Sequence, residues 1–317
     1  MTWLSNDAVE RLRHVAAWPG LSTDRYEVLR PIGRGGMGVV YAARDRMLDR
    51  EVAIKVSTAP APGAPSDEQL RHEAQVLAKL EHPGIVPIHD TGLLDDGRVF
   101  YVMKLVRGRT LTEHFADLQG EAGRLGVFER IADAVSFAHA QGVVHRDLKP
   151  SNVMLGPFGE VLVVDWGVAR RAGAATTGAR VGTLGFMAPE QLRGEAARVG
   201  PPADVFALGA LLFWLLIGDM PGSLDAARQR LREGRRRTPP RLVSIVLKCL
   251  ATEPADRYPD AGALAADVAR YRAGARVTAH RDTALERAGR WLTTYRTFIL
   301  LVATYLVMRV AFAWFRQ

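Results

Sequence analysis

The hydrophobic positions change period along the chain. Residues 26–34 alternate loosely, and Val39-Val40-Tyr41-Ala42-Ala43 and Val52-Ala53-Ile54-Lys55-Val56 are short runs of β-branched character, so each predicts a strand. In the second run, Val52, Ile54 and Val56 share one face, while Ala53 and Lys55 share the other. Over 66–80 the spacing turns helical, with Leu70, Leu77 and Leu80 as an inward stripe and Ser66 with Gln69 as a capping box. His82-Pro83-Gly84 ends that helix region. Strands are expected around 85–89 and 99–104, joined by Asp95-Asp96-Gly97. A helix follows over 124–141, with Leu125, Phe128, Ile131, Val135 and Ala138 at near-helical spacing and Gly142 at its end. Residues 161–164 are a short apolar run. From Asp204 to Ile217 nearly every side is apolar, the pattern of a fully buried helix.

Several polar residues interrupt this pattern where a core would not want them. Gly33-Arg34-Gly35-Gly36-Met37-Gly38-Val39-Val40 lies between two candidate strands. Alone it is weak, since hairpins use glycine for positive φ. A dinucleotide fold would need a helix next, and a strand follows instead. A hairpin without Cβ atoms can lie close over phosphates with its N–H groups aimed at them. Lys55 alone would read as an exposed edge residue. Glu73 lies on the inward stripe of its helix, three residues after Leu70 and four before Leu77, so a buried carboxylate there needs a cation, and Lys55 is the candidate. The alternative is a glutamate at the edge of the stripe reaching water.

The stretch Val144-His145-Arg146-Asp147-Leu148-Lys149-Pro150-Ser151-Asn152 puts a carboxylate, an ammonium and a carboxamide in one loop, and Pro150 argues against a continuous helix. Taken alone it would be a solvated turn. Downstream come Asp165-Trp166-Gly167, at the end of an apolar run, and Ala188-Pro189-Glu190. The order of these signals matches the protein-kinase signature set. From about residue 26 to about residue 271 the chain resembles the eukaryotic-like serine/threonine protein kinases of bacteria.

The resemblance implies an α+β fold of two lobes, a β-rich N-lobe with one main helix and a mostly helical C-lobe. It implies ATP and Mg2+ as cofactors, with Mn2+ a possible substitute, and Ser/Thr hydroxyls of protein substrates as acceptors. Gly33, Gly35, Gly38 and Val40 would cover the nucleotide, Ala53 would leave room for adenine, and Lys55 would reach the α- and β-phosphates with Glu73 as its partner. Met103 would be the gatekeeper and Lys104 to Val106 the hinge, with Met154 in the floor under adenine. The family commonly has Glu where Lys104 stands, but a hinge binds through backbone groups. Asp147 would accept or orient the substrate proton, Lys149 would stabilise the transferred phosphoryl group, and Asn152 and Asp165 would hold magnesium. Magnesium prefers hard oxygen ligands and keeps several waters, so one carboxylate and one carboxamide suffice beside phosphates. His145 would anchor the turn rather than act as a base. Trp166 replaces the usual Phe, a bulkier ring that could alter inactive-state packing.

Residues 165–190 would form the activation segment. Arg146 precedes the catalytic aspartate, and a phosphate on Thr176 or Thr177 would pair with it and order the segment. Loop threonines are often unmodified, so both readings stand. Thr183 would bridge Asp147 and Lys149, and with Lys149 it favours Ser/Thr over Tyr acceptors. Glu190 would pair with Arg257 in a buried structural ion pair, and Asp204 would accept hydrogen bonds from the catalytic-loop backbone.

Composition refines this picture at the ends of the chain. The 317 residues are 48% hydrophobic and 24% charged, ordinary values for a chain with a sizeable core. The net charge of +8 is concentrated in arginines over 228–237 and 270–296. Solvated surface is the simplest reading of both runs, with a docking patch for acidic substrates as the alternative at 228–237. No nucleic-acid-binding motif accompanies them, so nucleic acid is not an expected partner. Cys249 is the only cysteine, so no intrachain disulfide forms, and its apolar surroundings at 242–250 suggest a core thiol. Residues 1–18 lack a signal-peptide h-region and read as a short amphipathic helix.

Residues 298–315 are apolar except for Thr304 and Arg309. As a helix they would span roughly 27 Å, against a bilayer core of about 30 Å. Arg309 can snorkel, and the arginines before the segment place the catalytic domain inside. The expected division is therefore an N-terminal helical extension at 1–25, an N-lobe at 26–105, a C-lobe at 106–271, a basic juxtamembrane segment at 272–297 and a single membrane-spanning helix at 298–315, with the catalytic domain cytoplasmic. An interfacial helix or one packed on a partner are the alternatives. A catalytically dead binding scaffold of the same fold and a small-molecule phosphotransferase are the competing functions. Lys55, Asp147 and Asp165 argue against the first, and Thr183 with Ala188-Pro189-Glu190 against the second. Substrate, input signal and oligomeric state are not legible.

Overall fold

A computed structural model describes residues 25–35, 38–57, 65–166, 170–171, 185–233, 238–281 and 295–314. The alternating stretches form a five-stranded antiparallel sheet in the order β1-β2-β3-β5-β4. The strands are β1 (Tyr26–Gly35), β2 (Gly38–Asp45), β3 (Arg50–Ser57), β4 (Ile88–Leu93) and β5 (Val99–Lys104). Register explains the two faces. Val52, Ile54 and Val56 are opposite Ala43, Tyr41 and Val39, and together they form one buried cluster with Phe100 and Val102. On the other face Ala53 is opposite Met103 and Lys55 is opposite Tyr101.

Helix α1 (Pro65–Leu77) packs on that second face through Leu70 and Leu77, which join Tyr101 in the larger core. The helix was expected to run to residue 80. It stops at Leu77, and Leu80 is buried beyond its end in a turn. The strand expected at 85–89 also shifts, to Ile88–Leu93, because Pro83 and Pro87 bracket a segment in which Ile85 makes only an isolated parallel bridge to Val163.

The C-lobe is built on α3 (Gly120–Ala140), α5 (Pro201–Ile217), α7 (Pro240–Cys249) and α8 (Ala261–Arg272). Between them in the chain lie β6 (Arg109–Thr110), α2 (Leu111–His114), β7 (Val143–Val144), β8 (Val153–Leu155), β9 (Val161–Val163), β10 (Arg170–Arg171), α4 (Pro189–Leu192) and α6 (Leu224–Glu233). Helix α5 is buried on nearly every side, as its pattern requires. It crosses α7 so closely that a Cβ at Gly209 would sit 2.3 Å from that of Cys249. Cys249 is fully buried and burial pushes its thiol far up, so it is an inert core residue. The packed body continues past the boundary expected at Tyr271. Val277 is buried, and Asp267 accepts hydrogen bonds from Thr278 N and Oγ1, Ala279 N and the Tyr258 hydroxyl.

The C-terminal segment needs a correction. Residues 298–315 were expected to span a bilayer. A helix does form, α9 (Arg296–Trp314), but among the described residues no helix is long and apolar enough to cross a membrane. The physical reason is length and polarity together. Nineteen residues reach only about 28 Å, and they include Arg296, Thr304 and Arg309. The helical extension expected at 1–18 lies outside the described residues.

Glu190 and Arg257 meet as expected, at 2.7 and 2.8 Å in a bidentate pair with both side chains fully buried. Arg257 spends its remaining donors on the carbonyls of Ala251, Pro202 and Thr252. Glu190→Ala leaves a buried guanidinium half-satisfied and is expected to cost about 3–5 kcal/mol in urea unfolding. Replacing both residues with Met is expected to cost less than that single change. A double variant as damaged as the sum of its singles would contradict this account.

Candidate active site

Strand β3 delivers Lys55 to the face covered by α1, where Glu73 waits one helical stripe away. Lys55 Nζ donates to Glu73 Oε1 and Oε2 at 2.9 and 2.8 Å and to Asp165 Oδ1 at 3.1 Å. Lys55 and Glu73 are both buried. Burial works to lower the Lys55 ammonium, and the charges of Glu73 and Asp165 more than reverse it, so its pKa ends above the usual lysine value. Burial lifts the Glu73 carboxyl against the pull of Lys55. Burial also works to raise Asp165, but Lys55 outweighs it and holds that carboxyl below its ordinary value. A cation between two carboxylates is what the inward-facing Glu73 demanded.

The catalytic-loop candidates converge as well. Lys149 Nζ donates to Asp147 Oδ2 at 2.8 Å. Asn152 Nδ2 donates to the Asp147 carbonyl at 2.8 Å and to Asp147 Oδ2 at 3.2 Å. With Nδ2 committed, the carbonyl oxygen of the carboxamide is the atom left to meet a cation. Arg146 at φ 72° and Asp165 at φ 61° adopt the left-handed region that non-glycine residues usually avoid. Asp204 holds the first of these: its Oδ1 accepts from Arg146 N at 2.8 Å and its Oδ2 from His145 N at 2.7 Å. His145 is fully buried, and desolvation lowers its pKa, so it is neutral and structural. Its ring lies 4.5 Å from that of Trp166, whose indole N–H donates to the Val163 carbonyl at 3.2 Å. The indole is thus accommodated in the core, with a hydrogen bond that Phe could not make. Val164 N donates to the Asn152 carbonyl at 2.9 Å and ties the strand before Asp165 to the loop.

The remaining nucleotide-side candidates lie along the sheet and hinge. Val40 sits opposite Lys55, and Ala53 is buried opposite Met103. Lys104 is exposed, Val106 is half-buried just past β5, and Met154 lies on β8 opposite Leu162. Gly33 and Gly38 do not use positive φ. Gly38 is required for closeness instead, since a Cβ there would meet the Val56 carbonyl oxygen at 2.4 Å. Gly35 ends β1 opposite Gly38. Thr176, Thr177 and Thr183 lie outside the described residues, as do residues 234–237 of the basic run. Within that run Arg230 is already engaged by Asp219 at 2.6 Å and the Met220 carbonyl at 2.7 Å, which favours structural surface over docking.

Three contributors escaped the sequence reading. The Tyr101 hydroxyl donates to Glu73 Oε1 at 2.9 Å, and its place two residues before Met103 on one strand face was the available signal. Gln191 Nε2 donates to the Arg146 carbonyl at 2.9 Å, joining the Ala188-Pro189-Glu190 segment to the catalytic loop. His139 Nε2 lies 2.9 Å from Asp204 Oδ2, and nothing in the local pattern pointed to it.

Comparison with known proteins fits this geometry. The sequence matches the profile described as protein kinase domain over residues 26–283. The chain belongs to the protein kinase family. It is 38% identical over 275 residues to the serine/threonine-protein kinase PknB of Mycolicibacterium smegmatis, covering 80% of this chain and 44% of that protein. It is 36% identical over 263 residues to the serine/threonine-protein kinase PrkC of Bacillus subtilis, covering 77% and 40%. It is 33% identical over 294 residues to the serine/threonine-protein kinase PknD of Chlamydia caviae, covering 79% and 31%. The chain therefore spans less than half the length of these relatives. The crystal structure of the Mycobacterium tuberculosis PknI kinase domain superimposes with a TM-score of 0.62 at 28% identity, covering 80% of this chain and 98% of that one. Within the kinase family, its relatives are the bacterial serine/threonine kinases of eukaryotic type.

Asp204 offers a pH test. Burial works to raise its carboxyl, and His139 with the loop N–H donors outweighs this, so its pKa is lowered. A lowered carboxyl adds stability that is present above its unfolded-chain value of about 3.9 and lost as pH falls through the lower folded value. Thermal melts are expected to drop steeply below about pH 4, and Asp204→Asn is expected to flatten that part of the drop. Identical slopes in the two proteins would contradict the role given to Asp204.

Proposed function

We propose that the chain is an ATP-dependent serine/threonine protein kinase. The observation that carries this is the double convergence of Lys55 on Glu73 and Asp165 and of Lys149 and Asn152 on Asp147. Phosphoryl transfer asks for positioning and charge neutralisation more than for covalent chemistry. Lys55, held by Glu73, is placed to bind the α- and β-phosphates once Asp165 turns to a metal. The donor set fits magnesium, since Asp165 supplies a carboxylate oxygen and Asn152 a carboxamide oxygen, both hard ligands. When bound, magnesium would neutralise charge on the phosphates. Asp147 would orient the acceptor hydroxyl and take its proton as the new O–P bond forms and the bond to the departing ADP breaks. Lys149 would stabilise the transferred group. Hinge backbone from Lys104 to Val106 would receive adenine beside the gatekeeper Met103, with Ala53 and Met154 on its two faces. Thr183 would bridge Asp147 and Lys149, and Thr176 or Thr177 would accept an autophosphorylation that engages Arg146. A scaffold without catalysis is disfavoured, because none of the charged residues that chemistry needs has been lost.

The test is incorporation of labelled phosphate into a protein acceptor. Asp147→Asn is expected to lower transfer by roughly a thousandfold, in keeping with loss of a positioned base together with its electrostatic partner. Unchanged transfer would remove the proposal.

For the C-terminal helix, a lipid interface is the reading that a specific observation favours. Phe298, Leu300, Leu301, Leu306, Val307 and Met308 of α9 are all more than half exposed. The proposal is association with a membrane surface, leaving the catalytic body on the cytoplasmic side. The full chain is expected to float with anionic vesicles, and Leu301→Asp with Val307→Asp is expected to abolish flotation. Flotation that persists in that variant would contradict this seat.

A further inference from the structure

We propose that a cavity behind the hinge binds a phosphate-bearing small molecule, separately from the nucleotide cleft. The cavity measures about 660 Å³, within the size range of small-ligand sites. It opens among β1, the β2–β3 turn, β4 and the hinge. Arg44, Arg50, Lys104 and Arg107 bring four cations to its wall, against Asp49 and Glu51. Arg44 pairs with Asp49 and Arg107 pairs with Glu51, and all four of these side chains are exposed. Arg50 and Lys104 remain in excess.

The excess is structural as well as numerical. Arg50 Nε is sealed from the cavity and has no hydrogen-bond partner among the described residues, so what Arg50 offers the wall is the exposed part of its side chain. Its nearest carboxylate, Asp45 Oδ2, is 3.8 Å away and is shared with Arg25 at 3.4 Å. Lys104 is exposed and makes no ion pair among the described residues. His89, also on the wall, is pressed below its ordinary pKa by burial and by Arg50, which favours its neutral imidazole. Leu29 and Leu105 supply apolar flanks. A planar guanidinium held by a carboxylate only at 3.8 Å, next to an exposed ammonium, suits the oxygens of a phosphate. The leucines suit an organic body attached to that phosphate.

Strand register separates this cavity from the nucleotide side. Lys104 is opposite Val52, on the sheet face away from Ala53 and Lys55, which are opposite Met103 and Tyr101. The two sites would therefore share the hinge segment but not its surfaces, so filling one leaves the other open.

Phenyl phosphate and inorganic phosphate serve as probes. Each is titrated calorimetrically into the full chain with the cleft filled by a non-hydrolysable magnesium–ATP analogue. One saturable site is expected, with phenyl phosphate the tighter ligand. Lys104→Glu and Arg50→Gln are each expected to weaken it about tenfold or more, the loss of one charge-assisted contact. Lys104 is exposed, so its variant remains informative if Arg50→Gln fails to fold. Absence of saturable heat, or wild-type affinity in Lys104→Glu, would overturn the proposal. Inorganic phosphate binding as tightly as phenyl phosphate would overturn the organic part of the ligand. The readout is binding alone, so a chain that transfers no phosphate could still pass it, and an active kinase could still fail it.

Discussion

The structure depends on a cation buried between two carboxylates. Lys55 is taken out of water, and so is Glu73, and neither burial is tolerable without the other. Their contact sets where α1 rests on the sheet. Through Asp165 it also sets where the strand from the C-lobe must end. One ion cluster thus fixes the relation of the β-sheet, its helix and the metal-side loop. Lys55, held out of water and aimed by Glu73, then has charge to offer a polyphosphate, and Asp165, about half exposed at 52%, has charge to offer its metal.

A second constraint acts one layer below. The catalytic loop leaves β7 with Arg146 at positive φ, and the segment that leaves β9 puts Asp165 in the same region, which an ordinary backbone avoids. Such positions persist only where surrounding contacts over-determine them. Asp204 supplies two backbone hydrogen bonds, Gln191 a third at the Arg146 carbonyl, and His145 packs against Trp166 beneath. The polar chemistry at the surface therefore rests on a buried polar network, and that network reaches the C-lobe helices through His139 and the Glu190–Arg257 pair.

Much of this was legible in the chain. Two-residue alternation placed Lys55 opposite the apolar face of β3, and helical spacing placed Glu73 on the inward stripe, so a buried pair was legible once the order of the motifs favoured it over a glutamate reaching water. The apolar monotony of α5 announced its burial. Contacts between distant segments were harder to read. Tyr101, Gln191 and His139 are ordinary residues in ordinary elements, and only the crossing of strands and helices gives them partners. At Gly38 closeness to the Val56 carbonyl, not a positive φ, excludes a side chain, and no local pattern announces that contact. At the C-terminus, apolar content suggested a bilayer span, but helix length and polar interruptions decide that question, and no described helix satisfies both.

The central claim is that Lys55, Glu73 and Asp165 form one seat for a metal–polyphosphate. Equilibrium binding of a fluorescent ATP analogue, with and without magnesium, tests it most directly. The account predicts that magnesium tightens binding to the wild type and that Asp165→Asn loses that increment. It also predicts that Lys55→Met weakens binding about tenfold or more even without metal, as expected for removal of a buried charge-assisted contact. Affinity that is indifferent to magnesium, and equal in all three proteins, would contradict it.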